Sequence, residues 1–330
     1  MGTDCTIAAD YLANGKLVAI PTETVYGLAA NALLPLAVAD IFVVKNRPQF
    51  NPIIIHCASW KLAQKYTSNV PAVIHVLAEK FAPGPITFLV NKAPIIPDIV
   101  TAGSNKVAIR IPNHPLLLQL LLQINFPLAA PSANPSGYVS PTSAVHVLAN
   151  LQGKIPYILN GGKCTVGLES TIVGTDENDS LVLYRHGGIS KAQLEQTVGY
   201  TIKDETITTN NTPVTPGQLL VHYATNIPLV VGNIHALLPL YTNKKVGVLS
   251  FSTTHQHKAI VHQITLSASG VLHEAAANLF AAMREMDTKN IDIILAEYFP
   301  NEGIGMAIND RLFKASNNKP ILSNLYPKYF

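Results

Sequence analysis

Six stretches of the sequence end an apolar run in side chains that could do chemistry. "LVAIPTET" closes on Thr22, Glu23 and Thr24. "VVKNRPQFNPIIIH" sets Lys45 and Arg47 two apart, then Asn51 and His56. "VAIRIPNHP" holds Arg110 between two isoleucines, "APSANPSG" presents Ser132 and Asn134, "LESTIV" presents Ser170, and "LYRHGG" ends in Arg185. Lys45, Arg47, Arg110 and Arg185 are cations with few acids beside them in sequence. Such an excess suits an anionic ligand carrying phosphates or a carboxylate, where arginine binds bidentately and lysine acts as a point charge. An arginine between Ile109 and Ile111 equally suits a structural ion pair.

Other chemistries find little support. "NGGKCTVG" has the end of a phosphate-binding loop but lacks its upstream glycine, and Cys164 stands where a Ser or Thr would hold magnesium. Gly303 and Gly305 lack a third glycine, and both stretches read as turns. No HExxH, GxSxG or glycosidase-like carboxylate pair is present. His56 and Cys57 are strand neighbours on opposite faces, so Cys57 reads as a core residue rather than a nucleophile. Cys5, Cys57 and Cys164 are far apart and show no metal-ligand spacing, so no protein-bound metal is expected.

Those residues need a scaffold. In 330 residues, 48% are hydrophobic and 13% charged, but 23 prolines and 20 glycines break the apolar runs too often for a membrane span. A net charge of +3 speaks against a surface that coats nucleic acid. Isolated cysteines and an N-terminus without a basic, then apolar, leader make a cytoplasmic location the expectation. Helical and strand periods alternate through residues 1–199, which read as a mixed α/β domain, with "GLAAN" after the PTET turn expected as a small-residue helix or loop. "STIVGT" and "SLVLYRHG" read as a hairpin across "DENDS". Residues 200–225, rich in Thr, Asn and Pro, read as an interdomain linker. In residues 226–330, strand and helix signals alternate again and imply a smaller three-layer, Rossmann-like domain. Its helix "VLHEAAANLFAAMREMD" puts Leu272, Ala275, Ala276, Leu279 and Met283 on one face.

In order, "PTETVYGL", "KNRP", "PGPITF", "VAIRIPNHP", "APSAN", "ESTIV" and "RHGGI" resemble the motifs of the YrdC-like family. "TPGQLLVHYAT" and "PNEGIGMAINDRLFKAS" are similar to its two-domain form. The resemblance implies an α/β fold, with a twisted mixed sheet around a large concave cavity and a Rossmann-like C-terminal domain. It implies a nucleotidyltransferase that makes threonylcarbamoyl-AMP and pyrophosphate from L-threonine, bicarbonate or carbon dioxide, and ATP with Mg2+. A separate transferase complex would use the product to modify tRNA.

By matching positions, L-threonine would meet Thr24, His56, Arg110, the backbone around Ala130, and Ser170. ATP would meet Lys45, Arg47, Asn51, Lys106, Ser132, Asn134, Ser140, Arg185 and Leu220. Lys45, Arg47, Ser132 and Asn134 would carry catalysis by positioning and charge, since no nucleophile is implied.

Three departures stand out. Leu219, Leu220 and Val221 replace a Lys-Tyr-Lys run in the linker, so a lid there would close by apolar contact. Lys106 replaces a small hydroxyl residue and is expected to add a cation beside the phosphates. Asp310 replaces an asparagine and is expected to touch only packing. The alternative is an RNA-binding factor that accepts tRNA or double-stranded RNA in the basic cavity by shape. A carbamoyl-transfer module of the hydrogenase-maturation kind is disfavoured, because the extra zinc-finger and acylphosphatase segments are missing.

Overall fold

The computed structural model describes residues 1–206, 215–217 and 222–316. Among these, the first ten strands are β1 (Val18–Ile20), β2 (Gly27–Asn31), β3 (Ile54–His56), β4 (Ile86–Asn91), β5 (Lys106–Arg110), β6 (Leu128–Ala129), β7 (Tyr157–Ile158), β8 (Thr171–Thr175), β9 (Leu181–Arg185) and β10 (Lys203–Asp204). They form one mixed sheet in the order β10-β9-β8-β4-β5-β3-β6-β2-β1-β7. Four more, β11 (Leu229–Val231), β12 (Val246–Ser250), β13 (Ile260–Thr265) and β14 (Ile293–Ala296), form a parallel sheet in the order β11-β14-β12-β13.

The segment Gly27–Asn31 is a strand rather than the expected helix or loop. Its residues are poor strand formers, but it lies between β1 and β6 and pairs antiparallel with both. Long-range pairing overrides local propensity there. A short strand, β10, also lies inside the expected linker, parallel to β9. The hairpin of β8 and β9 forms as read.

Strand periodicity divides the sheet into a packed face and a working face. Ile55 and Ile109 point into the main core. Their neighbours Ile54 and Ala108 line a smaller apolar cluster on the other side, and His56 and Arg110 continue that second face. Parallel pairing of β3 and β5 sets His56 opposite Arg110.

The second sheet is held against the first by a shared apolar core. Val25, Val139 and Leu168 from the first half cluster with Tyr223, Leu279 and Phe280, each large side chain contributing about 1.5–3 kcal/mol on full burial. Arg284, on the helix Leu272–Met286, crosses the boundary. It donates to the carbonyls of Val139 and Ser140 and to Asn150, and stacks 4.8 Å over the Tyr138 ring. The expected apolar face of this helix is buried at Ala275, Ala276, Leu279 and Met283.

One glycine explains part of the RHGG motif. A Cβ on Gly187 would lie 2.3 Å from the Thr171 amide nitrogen and 2.4 Å from the Glu169 carbonyl oxygen, both backbone atoms with no room to yield. Gly187→Ala is therefore expected to cost about 3 kcal/mol or more, the upper end for overpacking, and to displace Ser170. Urea unfolding of the variant checks this.

Candidate functional site

The working face opens into a cleft of about 590 Å3, part of it open to solvent. Thr22, Thr24, Arg47, His56, Arg110, Ala130, Ser132, Glu169, Ser170, Arg185, His222 and Tyr223 are among the residues that line it.

The PTET turn is fixed by its own hydroxyls. Thr22 Oγ1 accepts from the Thr24 and Val25 amides at 3.0 and 3.1 Å and donates to the Val25 carbonyl at 2.7 Å. With that proton committed, the Thr24 hydroxyl donates to Thr22 across 2.7 Å, leaving Thr24 Oγ1 to accept from Arg110 at 2.7 Å. The other guanidinium nitrogen of Arg110 pairs with Glu23 at 2.7 Å, both side chains buried. Arg110 is thus both a structural ion pair and a cation facing the cleft.

His56 beside it is neutral. Burial first, and the Arg110 charge second, pull its imidazole down to about 3 from 6.5, and its Nδ1 has no hydrogen-bond partner. A depressed folded-state value means the unfolded chain takes up the proton first. The stability due to neutral His56 is therefore complete above about 6.5 and drains away as pH falls toward about 3. His56→Gln is expected to flatten the loss of stability between neutral pH and pH ~5, as measured by urea unfolding at both pH values.

On the far side, Arg47 donates to the carbonyls of Asn51 and Pro52 at 3.3 and 2.9 Å. Arg185 donates to the Ser170 carbonyl and hydroxyl at 2.9 and 3.0 Å. Burial pulls both guanidinium groups down to about 10. Arg185 adds to the effect on Arg47, while Tyr223 and Glu169 oppose it on Arg185. Two buried cations facing one cleft suit an anion.

Behind this lining stands a second rank. Lys45, pulled well below its ordinary value by burial and then by Arg47, donates to the carbonyls of Ser132 and Asn134 and so holds the APSAN loop. Asn51 and Asn134 are buried, each with an unpartnered Oδ1. Ser140 donates to Glu169 at 2.6 Å.

Lys106 differs from expectation. It starts β5, about 13 Å of strand rise from Arg110, and its ammonium donates to the Thr175 carbonyl at 2.8 Å. Its side chain is not among those that line the cleft. Leu219, Leu220 and Val221 lie outside the described residues.

The expectation of few nearby acids is also corrected, since the fold brings Glu23 to Arg110 and Glu169 to Arg311. Sequence reasoning passed over Glu169, Pro216 and Gly217. The signals were there in "LEST", where only the serine was weighed, and in the Pro-Gly pair of the linker. Cys57 is core, its thiol pushed up to about 12 by burial. Among the described residues, no three His, Cys, Asp or Glu side chains group to hold a metal, and no helix is long and apolar enough to cross a membrane.

Comparison with known proteins bears on this cleft. Residues 10–187 match the family model described as "Telomere recombination", and residues 189–317 match "Threonylcarbamoyl-AMP synthase, C-terminal domain". A threonylcarbamoyl-AMP synthase of Pyrococcus abyssi is 38% identical over 96% of this chain and 94% of that protein. The chain belongs to the threonylcarbamoyl-AMP synthase family. A synthase of the same name from Bacillus subtilis is 39% identical, over 95% of this chain and 93% of that one. The crystal structure of P. abyssi Sua5 complexed with L-threonine superposes with a TM-score of 0.89, at 38% identity and 94% coverage of both chains. The two-sheet architecture is therefore that of a two-domain synthase, and the chain is an enzyme of this family.

Proposed function

We propose that the cleft joins L-threonine, bicarbonate or carbon dioxide, and ATP into threonylcarbamoyl-AMP, releasing pyrophosphate. The observation that carries this reading is the pairing, in one cleft, of a buried Thr24–Arg110–His56 corner with the Arg47–Arg185 pair. The similar P. abyssi structure was solved with L-threonine, and the first corner suits that ligand. Arg110 holds its carboxylate, and Thr24, the Ala130 backbone and Ser170 surround the rest. Neutral His56 adds no charge that would repel the substrate ammonium.

The ammonium gives up one proton to become a nucleophilic amine, which adds to carbon dioxide and releases a second proton to give a carbamate anion. A carbamate oxygen attacks the α-phosphorus, the bond to the bridging oxygen breaks, and pyrophosphate leaves. Arg47 and Arg185 stabilise the charge on the phosphates, while Lys45, Asn51, Ser132, Asn134 and Ser140 position the loop around them, so the protein acts by placement and electrostatics.

Among the described residues, Glu169 in the cleft lining and Glu23 beside Arg110 are both held by arginines. The donor set thus suits a Mg2+ that arrives on the ATP phosphates and keeps its waters rather than one bound by protein carboxylates. When bound, it supplies charge neutralisation. The product, a mixed anhydride, suits a downstream transferase that acylates an amine of tRNA.

The test is incubation with ATP, Mg2+, L-threonine and labelled bicarbonate, following pyrophosphate and labelled adenylate while each substrate is omitted in turn. Product that requires all three supports the reading. Pyrophosphate release that ignores L-threonine, or no product from folded protein, overturns it.

A further inference from the structure

The helix Gly305–Ser316 belongs to the C-terminal half, yet its charged side chains hold two residues that line the cleft, Glu169 and Gly217. Arg311 is fully buried. Its Nε donates to Glu169 at 3.1 Å, another nitrogen donates to Asp310 at 2.7 Å, and the guanidinium lies 5.5 Å over the Tyr223 ring. Lys314, one turn on, pairs with Asp310 at 2.7 Å and donates to the Gly217 carbonyl at 2.8 Å. Asp310 is therefore more than packing, because it pairs with two cations that each hold a residue of the cleft lining.

Glu169 is the acid at stake. It lines the cleft with Arg47 and Arg185, and the next residue, Ser170, is gripped by Arg185 at two atoms. Released, its carboxylate would swing to the neighbouring Arg185, whose charge it already feels, and the site would meet a nucleotide with part of its positive charge already spent. Both oxygens are instead occupied from behind, one by Ser140 and one by Arg311. Burial alone would push this carboxyl up, but Arg311 and then Arg185 hold it below the ordinary range, so it stays charged.

We infer that Arg311 is a positioning residue for nucleotide binding: it draws the charge of Glu169 out of the cleft and leaves Arg47 and Arg185 to the phosphates. The inference rests on the reading of the cleft as an ATP site. The same helix fixes the turn above. Lys314 takes the Gly217 carbonyl and Arg185 takes that of Pro216, and Gly217 has φ +90°, a conformation natural to glycine. Among the described residues, the C-terminal half thereby contributes to the site through the charges of Arg311 and Lys314.

Three variants test this: R311M, R311K and the double variant E169Q/R311M, each assayed for pyrophosphate release and for KM toward ATP and L-threonine. R311M is expected to raise the KM for ATP about tenfold or more and to leave that for L-threonine within about twofold, because only phosphate binding loses its cations. R311K, which keeps the charge, is expected to recover part of the loss. E169Q/R311M is expected to return the KM for ATP to within about threefold of wild type, since the carboxylate that misdirects the arginines is gone. If R311M does not fold, the double variant decides, and a folded double variant with near-wild-type KM supports the inference. A folded R311M with unchanged KM for ATP overturns it, as does a double variant no better than R311M in KM or in folding. Wild-type protein that makes no adenylate overturns instead the reading of the cleft on which it rests.

Discussion

Arg110→Met is expected to raise the KM for L-threonine about a hundredfold or more and to cost about 3–5 kcal/mol of stability, because it strands a buried partner charge. The partner is Glu23, 2.7 Å from Arg110 and as deeply buried. The same substitution frees the Thr24 hydroxyl, which now accepts from Arg110. The two effects separate in a double variant. Arg110→Met with Glu23→Gln leaves no buried charge and is expected to regain most of the stability, while L-threonine binding stays lost for want of a cation. Isothermal titration with L-threonine and urea unfolding read the two losses independently. Wild-type affinity in the single variant would remove Arg110 from the amino-acid site.

The second large effect is expected at Arg47. Arg47→Met should lower kcat/KM for ATP by about 10²–10³, the scale for losing one preorganised charge-assisted contact in a transition state. Its cost in unliganded stability should be small. Two hydrogen bonds to backbone carbonyls are lost, but a buried cation that is repelled by Arg185 is removed at the same time. Such a site gives up stability for function and regains some when disarmed. Lys45→Ala provides the contrast. Its ammonium holds two carbonyls of the APSAN loop, so both turnover and melting temperature should fall. Melting curves with and without ATP distinguish the pair, and an Arg47→Met variant with wild-type turnover would sink the assignment.

Much of this site was legible in the sequence because its residues interrupt apolar strands. Arg110 and His56 stand out against the isoleucines beside them, and strand alternation puts both on the face away from the core. The acids were the harder part. Glu23 lies 87 residues from Arg110 and Glu169 lies 142 from Arg311, so no window along the chain contains either pair. The strand Gly27–Asn31 was missed for a related reason, since small residues carry little strand propensity and only pairing with β1 and β6 makes it one.

The sequence by itself determined the element types over long periodic segments, the two-part organisation and the cationic character of the cleft, since periodicity and residue type are local properties of the chain. The tertiary structure decided which charges cancel and which remain available. Arg110 is answered by Glu23 and Arg311 by Glu169, while Arg47 and Arg185 face the cleft together. That choice depends on distances across the fold and on burial, which set the strength of every charge interaction and which no order of residues displays.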